Sequence, residues 1–195
     1  MKMLKRSLFV VVLACCLQGC FGAFLAGAAI GSVVVYESSN YKYAKSDNKI
    51  SSEAVKKLKA DPDLYKKSRI VISVYDGIVL LAGQTPSPEY RQRAQQIVEG
   101  IPGVKRVYNE ITINGPISSM TQSSDAWITT KIKSQMMAAK GIDSDDIKVV
   151  TENGVVYLMG KVTRQQAAKA TAIARKSSGV QKVVTLFEYI TVTST

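Results

Sequence analysis

Histidine is absent from this chain of 195 residues, and cysteine is scarce, with three residues in all. Without imidazole side chains the protein has no His metal ligand, no His-based catalytic triad and no general base of the usual kind. The sequence also lacks a glycine-rich loop of the type that binds nucleotide phosphates. We therefore expect a protein that is not an enzyme, with no catalytic residues, no metal site, no cofactor and no small-molecule substrate.

Acidic residues are the minority among the charged ones, because 15 Asp and Glu stand against 26 Lys and Arg. The resulting net charge is +11 at pH 7, and no run of four or more basic residues occurs. Nucleic-acid binding proteins concentrate positive charge on one face or one helix, so we expect a solvated basic surface and no nucleic-acid partner. Near an anionic membrane, each basic residue close to the lipid would contribute about 1 kcal/mol.

A long apolar run is missing at the amino terminus as well. Three basic residues there precede an apolar stretch, residues 7–17, that is too short to span a bilayer. This order is typical of a secretory signal peptide, and Leu17-Gln18-Gly19-Cys20 resembles the bacterial lipoprotein signal. The resemblance implies that residues 1–19 are removed and that Cys20 carries lipid. The alternative is an uncleaved membrane anchor, since small apolar residues continue to Tyr36.

The other cysteines and the residue after Cys20 sharpen this expectation. Cys15 and Cys16 lie in the segment to be removed, so the mature chain keeps one cysteine and forms no internal disulfide. In the lipoprotein sorting pattern, an Asp after the lipidated cysteine retains the protein at the inner membrane, and this chain has Phe21 there. The resemblance thus implies a protein that is lipid-anchored in the outer membrane, on its periplasmic face.

One pattern occurs twice in the rest of the chain. Residues 70–83 and 147–160 each contain two apolar, β-branched runs, which are joined by Asp76-Gly77 in the first copy and Asn153-Gly154 in the second. These dipeptides favour the positive φ angles of a type I′ turn, so each stretch predicts a β-hairpin.

The segments around the two hairpins repeat as well. Helix-like stretches precede them at residues 50–58 and 128–136, and helix starts follow them at Ser87-Pro88 and at Thr163. A Gly-Val pair and an alternating strand end each copy. The order helix, strand, strand, helix, strand (αββαβ) predicts an α+β fold of two tandem modules. Each module should be a small mixed sheet with two helices on one face.

The chain therefore divides into a tether and two modules. We expect a lipidated amino terminus and flexible tether at residues 20–45, a first module at 46–114, a linker at 115–123 and a second module at 124–195. The linker is small and polar, as a domain boundary should be. The polar end of the tether, residues 37–48, is expected to be disordered. Modules of this size bury little core alone, so packing of one against the other would help both.

The αββαβ order, the Gly-closed second strand of each hairpin and the Gly-Val exit resemble the BON domain. The most specific stretches are residues 125–131 and 150–154. A lipoprotein signal followed by two BON domains is similar to the DolP group of outer-membrane lipoproteins. The resemblance implies a role in envelope integrity and gathering at the division site. It also implies binding of anionic phospholipid by the first helix of the second module, through Trp127, Thr130, Lys131 and Ser134.

Helical geometry points to the same helix. At 100° per residue, the stripe through Ile128 should face the sheet, whereas Trp127 and Lys131 lie on a neighbouring stripe that the core does not need. Trp127 is the only tryptophan of the chain. A Trp one turn from a Lys suits a membrane interface, where the indole rests at headgroup depth and the ammonium reaches lipid phosphate. Met137 lies beside this stripe and completes the predicted lipid-binding set.

Other interpretations remain open. Trp127 could pack between the modules, or it could anchor an envelope protein that the second module recruits. A haemolysin-like, membrane-damaging protein is a further alternative, because some relatives with this layout carry that label. The first copy bears on the choice, since Lys49 takes the place of Trp127 and Glu53 that of Lys131. Any contact with lipid should therefore belong to the second module.

Overall fold

The structure, a computed structural model, describes residues 32–36 and 43–191. The predicted signal peptide, residues 1–19, and the predicted lipid-bearing residue, Cys20, lie outside these ranges. Within them the chain forms two modules, each built from a β-sheet with helices against one of its faces.

The first module starts with a strand that the sequence analysis did not predict. Its elements are β1 (Ser32–Tyr36), α1 (Ala44–Lys59), α2 (Pro62–Lys67), β2 (Arg69–Tyr75), β3 (Ile78–Thr85), α3 (Pro88–Glu99) and β4 (Arg106–Ile113). The second module consists of α4 (Ser119–Ala138), a 3-10 turn (Ser144–Asp146), β5 (Ile147–Glu152), β6 (Val155–Val162), α5 (Arg164–Lys176) and β7 (Lys182–Tyr189).

Both sheets are mixed, as predicted. In the first sheet the strand order is β1-β2-β3-β4, where β2 and β3 form the antiparallel hairpin and the two outer strands run parallel to their neighbours. In the second sheet the order is β5-β6-β7, with an antiparallel hairpin and a parallel third strand. Both hairpin turns have positive φ at their two central residues: 47° and 76° at Asp76-Gly77, and 50° and 73° at Asn153-Gly154. The fold is therefore α+β, with the αββαβ order in each module.

The central strands are buried on both faces of each sheet, and this explains why they are mostly apolar. In β2, Ile70 and Ile72 belong to a core shared with α1 and α3, whereas Val71 and Tyr75 belong to a cluster shared with the second module. This alternation follows from the two-residue period of a strand. The two sheets pack face to face and the helices lie outside them, in four layers.

A buried polar network crosses the interface between the two sheets. Arg69 Nη2 donates a hydrogen bond to Glu152 Oε2 at 3.1 Å, and Gln84 Nε2 donates to Glu152 Oε1 at 2.9 Å. Lys148 Nζ donates to the carbonyl oxygen of Val74 at 2.8 Å. Burial raises the pKa of Glu152, and the nearby Arg69 and Gln84 oppose that rise. Because a buried charge without its partner is costly, the network favours one relative position of the two sheets.

The tether differs from its prediction. Ser32–Tyr36, which was placed in the flexible tether at 20–45, forms β1 and pairs with β2. α1 begins at Ala44, so this helix includes the end of the stretch 37–48 that was expected to be disordered. Consecutive valines favour a strand where a neighbouring edge is available, and β2 supplies that edge.

The linker is also shorter than predicted. α4 begins at Ser119, inside the linker expected at 115–123, because the Oγ atom of Ser118 accepts the N–H of Thr121 at 3.1 Å and caps the helix. A further short helix, α2, joins α1 to β2, and the side chain of Asp61 caps it. The sequence analysis did not predict α2.

Candidate functional site

The predicted site lies on α4. The inner side of this helix packs against the sheet of the second module. Ile128, Ile132 and Met136 are buried there in the core shared with β5 and β6, since a spacing of four residues places them on one side of the helix. Thr129 adds a buried hydrogen bond, in which its hydroxyl donates to the hydroxyl of Thr151 at 2.8 Å. α4 is thereby held with one defined side outward.

The buried carboxylate of Asp125, on the inner side of α4, binds the helix to the hairpin turn between β5 and β6. The backbone N–H of Asn153 donates to Asp125 Oδ2 at 2.7 Å, and that of Gly154 donates to Asp125 Oδ1 at 2.8 Å. Burial raises the pKa of Asp125, and the two N–H donors oppose that rise. Because Asp125 faces inward, Trp127, two residues further on, faces away from the sheet.

The first module contains the same arrangement. The backbone N–H groups of Asp76 and Gly77 donate to the carboxylate of Asp47 in α1, at 2.7 and 2.9 Å. We call these two contacts the Asp47 clasp and the Asp125 clasp. The sequence analysis missed their role, although an Asp that precedes each hairpin turn at nearly equal spacing was the signal that could have revealed it.

The outward side of α4 presents an indole with an ammonium group above it. The side chain of Trp127 is 55% exposed, and Lys131 Nζ lies 4.8 Å from the centroid of its ring. This distance is within the range of a cation–π interaction. The ring lies outside the interface between the modules, so packing of Trp127 between them is not observed.

The other predicted residues lie on the same side of the helix. Thr130 and Ser134 are exposed, and the hydroxyl of Thr130 donates to the carbonyl oxygen of Ala126 at 3.0 Å. Met137 is 73% exposed. Met120, seven residues before Trp127, is 83% exposed on this side and was not predicted, because the sequence analysis placed it in the linker. We call Met120, Trp127, Thr130, Lys131, Ser134 and Met137 the α4 face.

The charge on the α4 face is positive. The only acidic residue of α4 is Asp125, which is buried in its clasp. Lys131 is half-buried beside Trp127, and Lys133 is exposed on an adjoining side of the helix. The α4 face thus combines the apolar side chains of Met120, Trp127 and Met137 with the cation of Lys131, and it carries no carboxylate. This combination suits an anionic surface that has an apolar layer beneath it.

Comparison with known families agrees with the repeat. The family model of the BON domain matches residues 46–115 and 124–191. The chain belongs to the BON-domain family. Its two modules are the first and the second BON domain, and α4 is the first helix of the second BON domain.

Three relatives resemble the chain over most of its length. The outer membrane lipoprotein DolP of Haemophilus influenzae is 36% identical over 89% of this chain and 90% of its own length. The 21 kDa hemolysin of Actinobacillus pleuropneumoniae is 38% identical, over 74% and 75%. The osmotically-inducible protein Y of Escherichia coli is 27% identical, over 94% and 96%. These names do not denote enzymes, and the chain is an outer-membrane lipoprotein of the DolP group, as its sequence predicted.

Within residues 32–36 and 43–191, no helix has both the length and the hydropathy to cross a bilayer.

The first BON domain presents a different surface at the corresponding place. On α1, exposed Lys49 occupies the position of Trp127, and half-buried Glu53 occupies that of Lys131. Both residues line a depression of about 580 Å³, at whose edge Lys105 Nζ lies 2.6 Å from Asp76 Oδ1. This surface therefore carries charges of both signs, whereas the α4 face is apolar and basic.

Proposed function

We propose that the protein binds anionic phospholipid through the α4 face and thereby supports the integrity of the envelope from the periplasmic side of the outer membrane. The resemblance to the DolP group extends this proposal to the division site. The proposal assigns lipid contact to Trp127, Thr130, Lys131, Ser134 and Met137, with lipid attached at Cys20.

The observation that carries the proposal is the exposed indole of Trp127 with Lys131 Nζ 4.8 Å from its ring. An exposed tryptophan is costly in water unless something covers it, and the headgroup region of a bilayer suits a ring that is apolar with one N–H donor. The ammonium of Lys131 lies where a lipid phosphate would approach the ring. Met120 and Met137 extend the apolar area towards the two ends of α4.

Cys20 and the α4 face would form a two-point attachment. Eleven residues, 21–31, separate Cys20 from β1, and a chain of this length reaches at most about 40 Å. A short linker of this kind gives an effective concentration on the order of millimolar. A weak contact at Trp127 would therefore be well populated at the membrane that holds the lipid anchor.

The test is flotation of the unacylated chain, from residue 21 onward, with vesicles of phosphatidylglycerol. Trp127→Glu should abolish binding, because the substitution places a carboxylate where the indole would enter the headgroup layer. The matched control is Lys49→Glu, which places the same group at the corresponding position of the first BON domain and should leave binding unchanged. Circular dichroism should show that both variants are folded. Binding of the Trp127→Glu chain at the level of the unsubstituted chain would refute the proposal.

A second candidate is membrane damage, because one relative is named a hemolysin. A helix held at its inner side by the Asp125 clasp and the Thr129–Thr151 hydrogen bond would rest on a bilayer without leaving its sheet. We therefore expect no lysis of red cells at protein concentrations that saturate the vesicles. Lysis at those concentrations, lost in Trp127→Glu, would favour the second candidate.

A further inference from the structure

β4 and β7 each stand at the end of their sheet and are related by the repeat. Each runs parallel to its neighbour with the same register, since Asn109 pairs with Leu81 and Thr185 pairs with Leu158. The outer edge of such a strand carries unpaired N–H and C=O groups that can template another strand, and proteins usually cover or block it. The two BON domains treat this edge differently.

In the first BON domain the edge of β4 is blocked by side chains. Arg91 Nη2, from α3, donates to the carbonyl oxygen of Asn109 at 2.8 Å, and Asn109 Nδ2 donates back to the carbonyl oxygen of Arg91 at 2.9 Å. The backbone N–H of Ile111 donates to Asn109 Oδ1 at 3.3 Å. The carbonyl group of Asn109 and the N–H group of Ile111, both on the outer edge of β4, are thus already hydrogen-bonded within the domain. We call this set the Arg91–Asn109 clamp.

In the second BON domain the clamp is missing. Ala167 stands at the position of Arg91 and Thr185 at that of Asn109, so neither member can form it. Among the described residues, no side chain hydrogen-bonds to the main chain of Thr185 or of Phe187, the residue that corresponds to Ile111. In place of the clamp, a groove of about 530 Å³ runs between α5 and β7, with Ala167, Ala168 and Ala172 along its helix side.

The groove is basic. Arg164, Arg175 and Lys176 line it, and none of its lining residues is acidic. The guanidinium of Arg164 lies 4.8 Å from the ring centroid of Tyr189, which is exposed at the end of β7. The corresponding positions of the first BON domain hold Pro88, Glu99 and Gly100. Basic side chains therefore lie beside the open edge of β7, whereas the corresponding positions beside the blocked edge of β4 hold none.

We propose that this groove binds an extended acidic segment of a partner protein, which adds to β7 as a further strand. The main chain of the segment would pair with the outer edge of β7, and its Asp and Glu side chains would lie among Arg164, Arg175 and Lys176. Strand addition takes its affinity from main-chain hydrogen bonds and its specificity from side-chain pockets. A peptide supplies both N–H and C=O groups to such an edge, whereas a phospholipid supplies no amide ladder. The proposal uses α5 and β7 and is independent of the α4 face.

The experiment is selection of randomised twelve-residue peptides, displayed on phage, against the full chain in detergent micelles. Enriched peptides should alternate Asp or Glu with β-branched residues, and one of them, made synthetically, should slow hydrogen exchange at the amide of Phe187. The double variant Ala167→Arg with Thr185→Asn installs the clamp of the first BON domain and should weaken binding at least tenfold. Because Ala167 is buried, Arg175→Glu serves as a second, surface variant, and it should also weaken binding. Exposed Lys56→Glu is its charge-matched control and should have no effect.

The outcomes separate the possible occupants. Enriched peptides without acidic residues, or affinity unchanged in both the clamp variant and Arg175→Glu, would overturn the proposal. Self-association of the unsubstituted chain that the clamp variant abolishes would identify a second copy as the occupant and would also overturn it. Vesicle binding that Arg175→Glu abolishes while the peptide has no effect on β7 would assign the groove to lipid instead. Trp127→Glu should keep full peptide affinity, which distinguishes failure here from failure of the lipid proposal.

Discussion

The two BON domains of this chain share a skeleton and differ on their surfaces. Both have the αββαβ order, a type I′ hairpin turn with a Gly at its second position, and an Asp that binds that turn from the preceding helix. They differ at the outward side of the first helix and at the outer edge of the last strand. The recurring residues belong to the shared fold, and we expect the residues that serve binding to be among those that occur once.

The largest effect is expected where the two domains meet. Glu152→Ala leaves Arg69 buried without its carboxylate, and loss of one partner of a buried ion pair costs about 3–5 kcal/mol. The exposed pair of Lys67 and Asp63 provides the contrast, since Asp63→Ala should cost less than about 1 kcal/mol. Urea unfolding followed by circular dichroism measures both free energies. Equal losses would mean that the interface network does not couple the domains.

The next largest loss of unfolding free energy is expected when either clasp is removed. Asp47→Ala and Asp125→Ala each leave two backbone N–H groups of a hairpin turn without their acceptor; all but that of Asn153, which is part-buried, are buried. Hydrogen bonds to a charged group contribute about 1.5–3 kcal/mol, so each variant should lose about 2–3 kcal/mol of unfolding free energy. The two losses should agree within the error of urea titration. A large loss at Asp125 beside none at Asp47 would show that the clasp is not a shared requirement of the fold.

A graft sharpens the comparison of the two helix faces. Lys49→Trp with Glu53→Lys transfers the aromatic and the cation to the first BON domain. In a Trp127→Glu background the graft should restore vesicle binding by about tenfold, which corresponds to about 1.4 kcal/mol. The control is Lys49→Trp alone, which keeps the carboxylate of Glu53 and should restore less. No recovery with the graft would mean that features of α4 beyond these two residues are needed.

The smallest effect concerns pH and the sheet interface. Burial raises the pKa of Tyr75 to about 12, whereas the unfolded chain ionises this phenol near its ordinary pKa of about 10. Between about pH 10 and 12 the folded state holds more protons than the unfolded state, so the unfolding free energy falls as pH rises. Tyr75→Phe should reduce that fall by about 1 kcal/mol at pH 11 and should leave the pH dependence unchanged below pH 9. Unchanged pH dependence of the variant at pH 11 would contradict the assignment.

Local patterns were sufficient to predict the repeat. The Asp76-Gly77 and Asn153-Gly154 turns and the capping box at Thr163 depend on neighbouring residues, and the structure contains all three. The outward position of Trp127 followed from helical periodicity in the same way, because the stripe through Ile128 had to be buried. These features need no knowledge of the rest of the fold.

Features that depend on distant partners could not be predicted in this way. β1 becomes a strand only because β2 offers it an edge, and its valines follow a run of small apolar residues that gave no boundary. Each clasp joins an Asp in a helix to a hairpin turn that follows 28 to 30 residues later in the chain. The open edge of β7 is visible only when Ala167 is compared in space with Arg91.

Fluorescence of Trp127 is the most direct test of the central claim, since it is the only tryptophan of the chain. Titration of the unacylated chain with phosphatidylglycerol vesicles should shift its emission to shorter wavelength, and brominated acyl chains should quench it. Phosphatidylcholine vesicles should produce neither effect. Emission that stays at the wavelength of a water-exposed indole, with saturating anionic vesicles and no quenching, would contradict lipid binding through the α4 face.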